Sequence, residues 1–452
     1  MMSSPLVAVI VWAALAAWLG QLVGPKLGIS RPGLVERLVI GLVLLHAWML
    51  LLDAVGVPWT RATLLGPAAL AAFMQWRVGP SPKHGDHESG RIPDRRGLSL
   101  VLADVVALGA VAGFASYAWS LRSLAPDFIY HWGLKGRHFA AEGGVSWALL
   151  RGHDASYLHP DYPLFVPNLY AATELLSGLW NEPALAVWSV LYLALLVWEM
   201  RCVADEVLGG VWGHAAYASG ALVLSAFSIG HLQAGAADIP FALAVLALAR
   251  QLWRLGEEPA RGQTVARIGV WSAFAVVCKI EGYPLAALAV ALTWLRCHGL
   301  RLGALPGWLV RRWVVWMPTA VLGGGWIFTM WSRGLYQATN SGRPSWERAQ
   351  LTFEALPAAL SVSTWSGLAW LLPLLPLGLL LRGPRWLVLL PCLQIAFYLS
   401  SYVGGAQSTT FWVVSSFPRL VFHVMPVLWI GIWWATRVPA STAHGGVPCR
   451  AD

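Results

Sequence analysis

Five short stretches carry ionisable side chains in otherwise apolar surroundings. In Ala125-Pro126-Asp127-Phe128-Ile129-Tyr130-His131-Trp132-Gly133-Leu134-Lys135, Asp127 stands about two helical turns before Lys135, with His131 between them. An aspartate held at the rim of a water-poor cavity can act as a general base, whereas an aspartate after Pro126 can also do no more than cap a helix. In His159-Pro160-Asp161-Tyr162-Pro163, with Pro167 beyond, the prolines set the entry of a helix whose N-terminus favours an anionic ligand. The plain alternatives are an N-cap role for Asp161 and an interface-anchor role for Tyr162. His153 and His159, with Asp154 or Asp161, fit no metal-ligand spacing, so no metal site is assigned.

Asp238 is alone in the apolar run Gly235-Ala236-Ala237-Asp238-Ile239-Pro240, as are Lys279 and Glu281 in Cys278-Lys279-Ile280-Glu281-Gly282-Tyr283-Pro284. Ionisable groups at membrane depth cost a few kcal/mol to insert and are functional candidates, a structural ion pair being the other reading. Arg419, in Ser415-Ser416-Phe417-Pro418-Arg419-Leu420-Val421-Phe422-His423, is expected at the start of the last span. A guanidinium fork there suits a phosphate, and a phospholipid headgroup would satisfy it equally.

The elements that position these residues are membrane helices. Of 452 residues, 57% are hydrophobic and only 12% charged, a balance that excludes an ordinary soluble globule. The sequence predicts an all-α polytopic bundle of about thirteen spans, each near the roughly 20 residues a bilayer requires. The net charge of +9 sits in short loops with no basic stripe, so nucleic acid is not an expected partner, and the five scattered cysteines form no disulfide framework or zinc site. The 28 tryptophans, many at run ends, read as interfacial belts.

Spans are expected near 6 to 23, 38 to 55 and 61 to 76, followed by a basic linker, Arg77 to Gly97, that belongs in the cytoplasm. A fourth span, Leu98 to Leu121, then leads to the longest polar segment, the external loop 122–161. Basic clusters at Arg201, Arg250 with Arg254 and Arg261, Arg296 with Arg301, Arg311 with Arg312, Arg382 with Arg385, and Arg437 also read as cytoplasmic. Between the loop and Arg250 lie four apolar segments, of which an odd number must cross; the first, near 162 to 180 and interrupted by Pro163 and Pro167, is expected to be re-entrant. Further spans follow near 184 to 200, 212 to 230, 238 to 253, 267 to 280, 283 to 298, 313 to 331, 357 to 381, 386 to 403 and 420 to 436. This topology, fixed by the cytoplasmic charges alone, gathers Asp127, Lys135, Asp161, Asp238, Lys279, Glu281, Arg333, Arg343 and Arg419 on the external side.

Taken together, the order and one-sidedness of these motifs resemble the GT-C superfamily of polytopic glycosyltransferases, near the bacterial protein mannosyltransferases and aminoarabinose transferases. The resemblance runs from about Leu98 to Arg437. It implies a catalytic transmembrane domain over 98–437, preceded by accessory helices and a linker over 1–97 and followed by a short tail, 438–452. It also implies a sugar donor carried on polyprenyl phosphate, with Asp127 taking the proton of an acceptor hydroxyl in an inverting transfer. Lys135, Lys279 and Arg419 would stabilise the departing phosphate, and His131, His159, Asp161, Tyr162, Asp238 and Glu281 would contact substrate. Many relatives carry two adjacent acids in the first loop, whereas Asp127 lies between Pro126 and Phe128, so no cofactor is expected and a divalent metal stays open without the acidic pair that would support it. The location implied is a bacterial inner membrane, with the site facing the periplasm. A transporter or lipid flippase using Asp238, Lys279 and Glu281, and a surface-polysaccharide ligase or polymerase, are the competing readings.

Overall fold

Backbone N–H and C=O groups have no water to bind in a bilayer, so an apolar chain of this length must satisfy them within helices. The structure is a computed structural model describing residues 4–78, 97–121, 125–152, 158–232, 234–256, 261–335, 343–361, 385–405 and 408–436, and among these every regular element is helical. Six helical segments are long and apolar enough to cross a membrane: Pro5–Leu27, Leu34–Ala54, Leu98–Ser120, Glu182–Val207, Arg385–Gly404 and Thr409–Thr436. The chain is therefore a helical membrane protein.

The N-terminal helices α1 (Pro5–Val23) and α2 (Leu34–Ala54) pair with their backbones in contact. A Cβ on Gly20 would lie 1.9 Å from the Arg37 carbonyl oxygen, and one on Gly41 would lie 1.7 Å from that of Ala16. Only glycine permits this approach, the usual means of holding helices together where the solvent is itself apolar. The apolar run at 61 to 76 is divided into α3 (Arg61–Leu64) and α4 (Gly66–Val78). After α5 (Leu98–Ser120), the chain forms a π-helical turn, Phe128–Trp132, then α6 (Gly133–Glu142) and α7 (Trp147–Arg151). His153 and Asp154, most of the basic linker and the tail lie outside the described residues.

The segment expected to be re-entrant is α8 (Phe165–Ser177), 13 residues and too short to cross a bilayer. Its residues from Phe165 to Thr173 are all buried, packed against α1, α2 and α6. Helices α9 (Glu182–Val207), α10 (Gly210–Phe227), α12 (Arg261–Cys278) and α13 (Gly282–His298) follow, with α11 (Asp238–Arg254) between α10 and α12. Every residue of α11 from Asp238 to Ala249 is buried, as expected of a helix that is apolar all round and forms the centre of the bundle.

Two further segments differ from the expected spans, and a third lies mostly outside the described residues. Residues 313 to 331 form a 3-10 turn (Trp313–Val315), α14 (Met317–Thr319), a π turn (Ala320–Gly324) and α15 (Gly325–Ser332), because Pro318 and three consecutive glycines interrupt the run. Only the first residues of the expected span at 357 to 381 are described, at the end of α16 (Trp346–Ser361). After α17 (Arg385–Gly404), the last helix, α18 (Thr409–Thr436), starts eleven residues before the expected 420. Arg419 is accordingly in the third turn of a 28-residue helix and not at a helix start. The sequence Phe417-Pro418 looks like a helix entry because proline favours the first turn, yet α18 continues through it, packed against α11, α16 and α17.

Candidate active site

Asp238 begins α11, where the partial positive charge of the helix N-terminus favours a carboxylate. It is completely buried and accepts three charged or polar donors: Arg419 Nη2 at 2.7 Å, Lys279 Nζ at 3.0 Å and His423 Nε2 at 3.0 Å. Lys279 and Glu281 occupy the tight link between α12 and α13, with Lys279 Nζ 3.4 Å from Glu281 Oε1. Gly282 makes that link possible, since a Cβ there would meet the Ala275 carbonyl oxygen at 2.1 Å.

Arg419 has a second acidic partner. The same Nη2 donates to Asp127 Oδ2 at 2.5 Å, so one guanidinium nitrogen bridges a buried carboxylate and one that is 37% exposed. Neither of the capping roles open to the acids is taken. Asp127 makes no side-chain cap bond, and the N-cap position of α8 belongs to Leu164, three residues after Asp161.

These groups surround a cavity of about 610 Å³. Asp127, His131, His159, Tyr162, Lys279, Glu281 and Arg419 line it, while Asp238 lies directly behind Arg419 and Lys279. Seven residues singled out by type and spacing thus come together around one cavity from four separate segments. Lys135 does not line the cavity. Its side chain has no exposed surface, and its Nζ donates to the His159 carbonyl oxygen at 2.9 Å. Burial pushes the Lys135 amine down to about 7, against which the nearby Asp161 carboxylate pulls it up. Asp161 also lies behind the wall, and burial raises its pKa.

His131 is held well below the usual imidazole range by burial and then by the charge of Lys135, so the ring is neutral. Its Nδ1 contacts the Leu158 carbonyl oxygen at 2.5 Å and must carry the proton, which leaves Nε2 as a bare acceptor with no hydrogen-bond partner. His159 is also shifted down by burial.

Several members of the site were not predicted from sequence. His423 donates through Nε2 to Asp238 and accepts the Tyr398 hydroxyl at Nδ1, 2.8 Å away. Its position four residues after Arg419, on the same helix face, was the available signal. Tyr398 and Tyr402 share a face of α17 and both line the cavity, Tyr402 bonding Ser416 at 2.8 Å. Trp326 donates its indole N–H to the Asp161 carbonyl oxygen at 3.0 Å across 165 residues, a contact with no local signal. Arg333 stacks over Trp147, 3.7 Å from the ring centroid, and Arg343 is exposed, so neither joins the cavity wall.

Among the described residues, no group of three or more His, Cys, Asp or Glu side chains is placed to hold a metal ion. Comparison of the chain with protein-family models, with curated proteins and with solved structures finds no match in any of the three.

Proposed function

We propose that the protein transfers a sugar from a polyprenyl-phosphate donor to an acceptor hydroxyl at the external face of a bacterial inner membrane, with Asp127 as general base. The observation that carries this reading is a cavity lined by the more exposed carboxylate Asp127, paired with the cation Arg419, and by a second cation, Lys279. A reaction that moves a proton from a hydroxyl and releases a phosphate needs these two kinds of group side by side.

In the reaction, the acceptor oxygen forms a bond to the anomeric carbon as the bond from that carbon to the carrier phosphate breaks. The phosphate leaves with the electron pair, and Asp127 takes the hydroxyl proton. The transfer is a single inverting displacement with no covalent intermediate. Arg419 is bonded to Asp127; a bound phosphate competes for that guanidinium and frees the carboxylate to act as base. Asp238, fully buried and bonded to both cations, keeps Arg419 and Lys279 aimed at the phosphate while Asp127 is released. Phe397, Trp412 and Leu420 give the cavity an apolar side suited to the first isoprene units, and the rest of the prenyl chain lies in the bilayer. The resemblance to GT-C enzymes supports the same assignment.

The transporter reading needs Asp238 to meet a moving substrate or proton. Its zero exposure and its three internal donors favour a supporting role instead. The test is release of polyprenyl phosphate by the purified protein in nanodiscs, offered a panel of polyprenyl-phosphate sugars. The parent should consume one donor and Asp127→Asn should lose at least about a hundredfold. Consumption of no donor, or an unimpaired variant, sinks the assignment.

A further inference from the structure

Behind the cavity wall, three backbone carbonyls within four residues are each held by a side chain from elsewhere. His131 Nδ1 holds Leu158, Lys135 Nζ holds His159, and Trp326 Nε1 holds Asp161, at 2.5, 2.9 and 3.0 Å. His131 and Lys135 are one helical turn apart, so the start of the external loop grips its end. Between these anchors, His159 has φ of +45°, the one positive value at a non-glycine position among the described residues. Left-handed backbone at a bulkier residue than glycine persists where the surroundings over-determine it, and such positions cluster at binding sites. The anchors hold His159 and Tyr162 against the cavity, in edge-on contact with each other and with His131, at ring-centroid distances of 5.2 to 5.3 Å.

The same part of the wall carries buried polar atoms without partners: His131 Nε2, Trp132 Nε1 and Glu281 Oε2. Two are acceptors and one is a donor, and buried groups of this kind are ordinarily satisfied by something. A phosphate presents only acceptors and would be repelled by Glu281. A prenyl chain would satisfy none of them. A ring bearing several hydroxyls offers donors, acceptors and C–H faces for aromatic edges.

We propose that His131, Trp132, His159, Tyr162 and Glu281 form a subsite for a polyhydroxylated ring, joined to the Arg419 and Lys279 cations through the Glu281–Lys279 pair. Lys135 is then a positioning residue for this subsite and not a phosphate ligand. The inference rests on the transfer reading in taking the ring to be a sugar.

The test measures binding to the full-length protein in nanodiscs of two probes, polyprenyl monophosphate and a panel of polyprenyl-phosphate sugars. The variants are His159→Gly, which keeps the left-handed backbone while removing the imidazole, and Glu281→Gln; thermal melts check that both fold. Each should bind the sugar-bearing lipid at least about tenfold more weakly while keeping or improving affinity for the monophosphate. Arg419→Met should weaken both probes. Equal losses for both probes, or no loss in binding of the sugar-bearing lipids, overturn it and leave the transfer reading in place. If the parent binds neither lipid, the transfer reading itself fails and takes the subsite with it.

Discussion

Both ends of α11 meet charged groups, and the two ends are built differently. At the Arg254 end, Arg250 bonds Glu199 at 2.9 Å, and both Arg250 and Arg254 donate to Glu206, through Nε at 3.1 and 3.0 Å respectively. These ions join α11 to α9 with cation and carboxylate in direct contact. At the Asp238 end, the carboxylate is saturated by three donors, yet the groups in front of it are not: Glu281 Oε2 and His131 Nε2 lack partners, and a cavity separates the walls. A closed network of ions makes a joint between helices. An open one, with its inner layer fixed and its outer layer incomplete, makes a place for a ligand. Burial alone does not distinguish them, since the side chains of Arg250 and Lys279 are 12% and 6% exposed, and neither does an unpartnered polar atom, since Gln251 Oε1 beside Arg250 lacks a partner as Glu281 Oε2 does; the cavity in front of the Asp238 end does.

Substitutions at the two ends should therefore separate stability from activity. Asp238→Ala should have the largest effect, because it leaves Arg419 and Lys279 without their common carboxylate. Thermal melts should show a loss corresponding to about 3–5 kcal/mol, and carrier release should be abolished in whatever remains folded. Arg250→Met should lower stability by a comparable ~3–5 kcal/mol, since it strands Glu199 in the bundle, but carrier release per folded molecule should stay within about twofold of the parent. A large loss of turnover in folded Arg250→Met would remove the distinction between the two ends. Asp127→Asn should do the reverse, losing activity about a hundredfold with little change in the melt, because a side chain 37% exposed to solvent contributes little as an ion pair.

The smallest effect expected is a pH dependence. The Lys135 amine, pushed down by burial from an ordinary value of 10.5 to about 7, binds fewer protons in the folded chain than in the unfolded one between those two values. Folding should gain stability as pH rises through that window, and the penalty for burying the charge should be complete below about pH 7. Melting temperatures of the parent and of Lys135→Met, compared from pH 6.5 to about 9, should diverge in slope, with the variant the flatter. Parallel slopes would mean that Lys135 keeps its proton in the folded chain across the window, as a solvated amine does.

Much of the site was legible because the bilayer makes ionisable residues conspicuous. Asp238, Lys279, Glu281 and Arg419 each interrupt an apolar run, an interruption that expensive identifies itself without a structure, and Asp127 opens the external loop. Loop charges alone group them on one side, and the cavity is lined by four of them together with His131, His159 and Tyr162, with Asp238 behind it. The helices read less evenly. The run at 313 to 331 was apolar enough for a span, but its proline and glycines, not its hydropathy, set its breaks. At Arg419 the opposite occurred: Pro418 suggested a helix start, and packing carried the helix through it.

By itself, the sequence determined that this is an all-helical membrane chain and which charged residues require an explanation, because both follow from the cost of placing polar groups in hydrocarbon. Only the tertiary structure decided which charges meet. Asp127 and Arg419 are 292 positions apart and Asp238 and Arg419 are 181 apart, so no local periodicity encodes either pair. It also decided that Lys135 grips a backbone turn while Lys279 faces the cavity. Two buried lysines of the same chemistry differ in what the fold sets against them, a backbone carbonyl for Lys135 and the Asp238 carboxylate for Lys279, and that is a property of the assembled bundle.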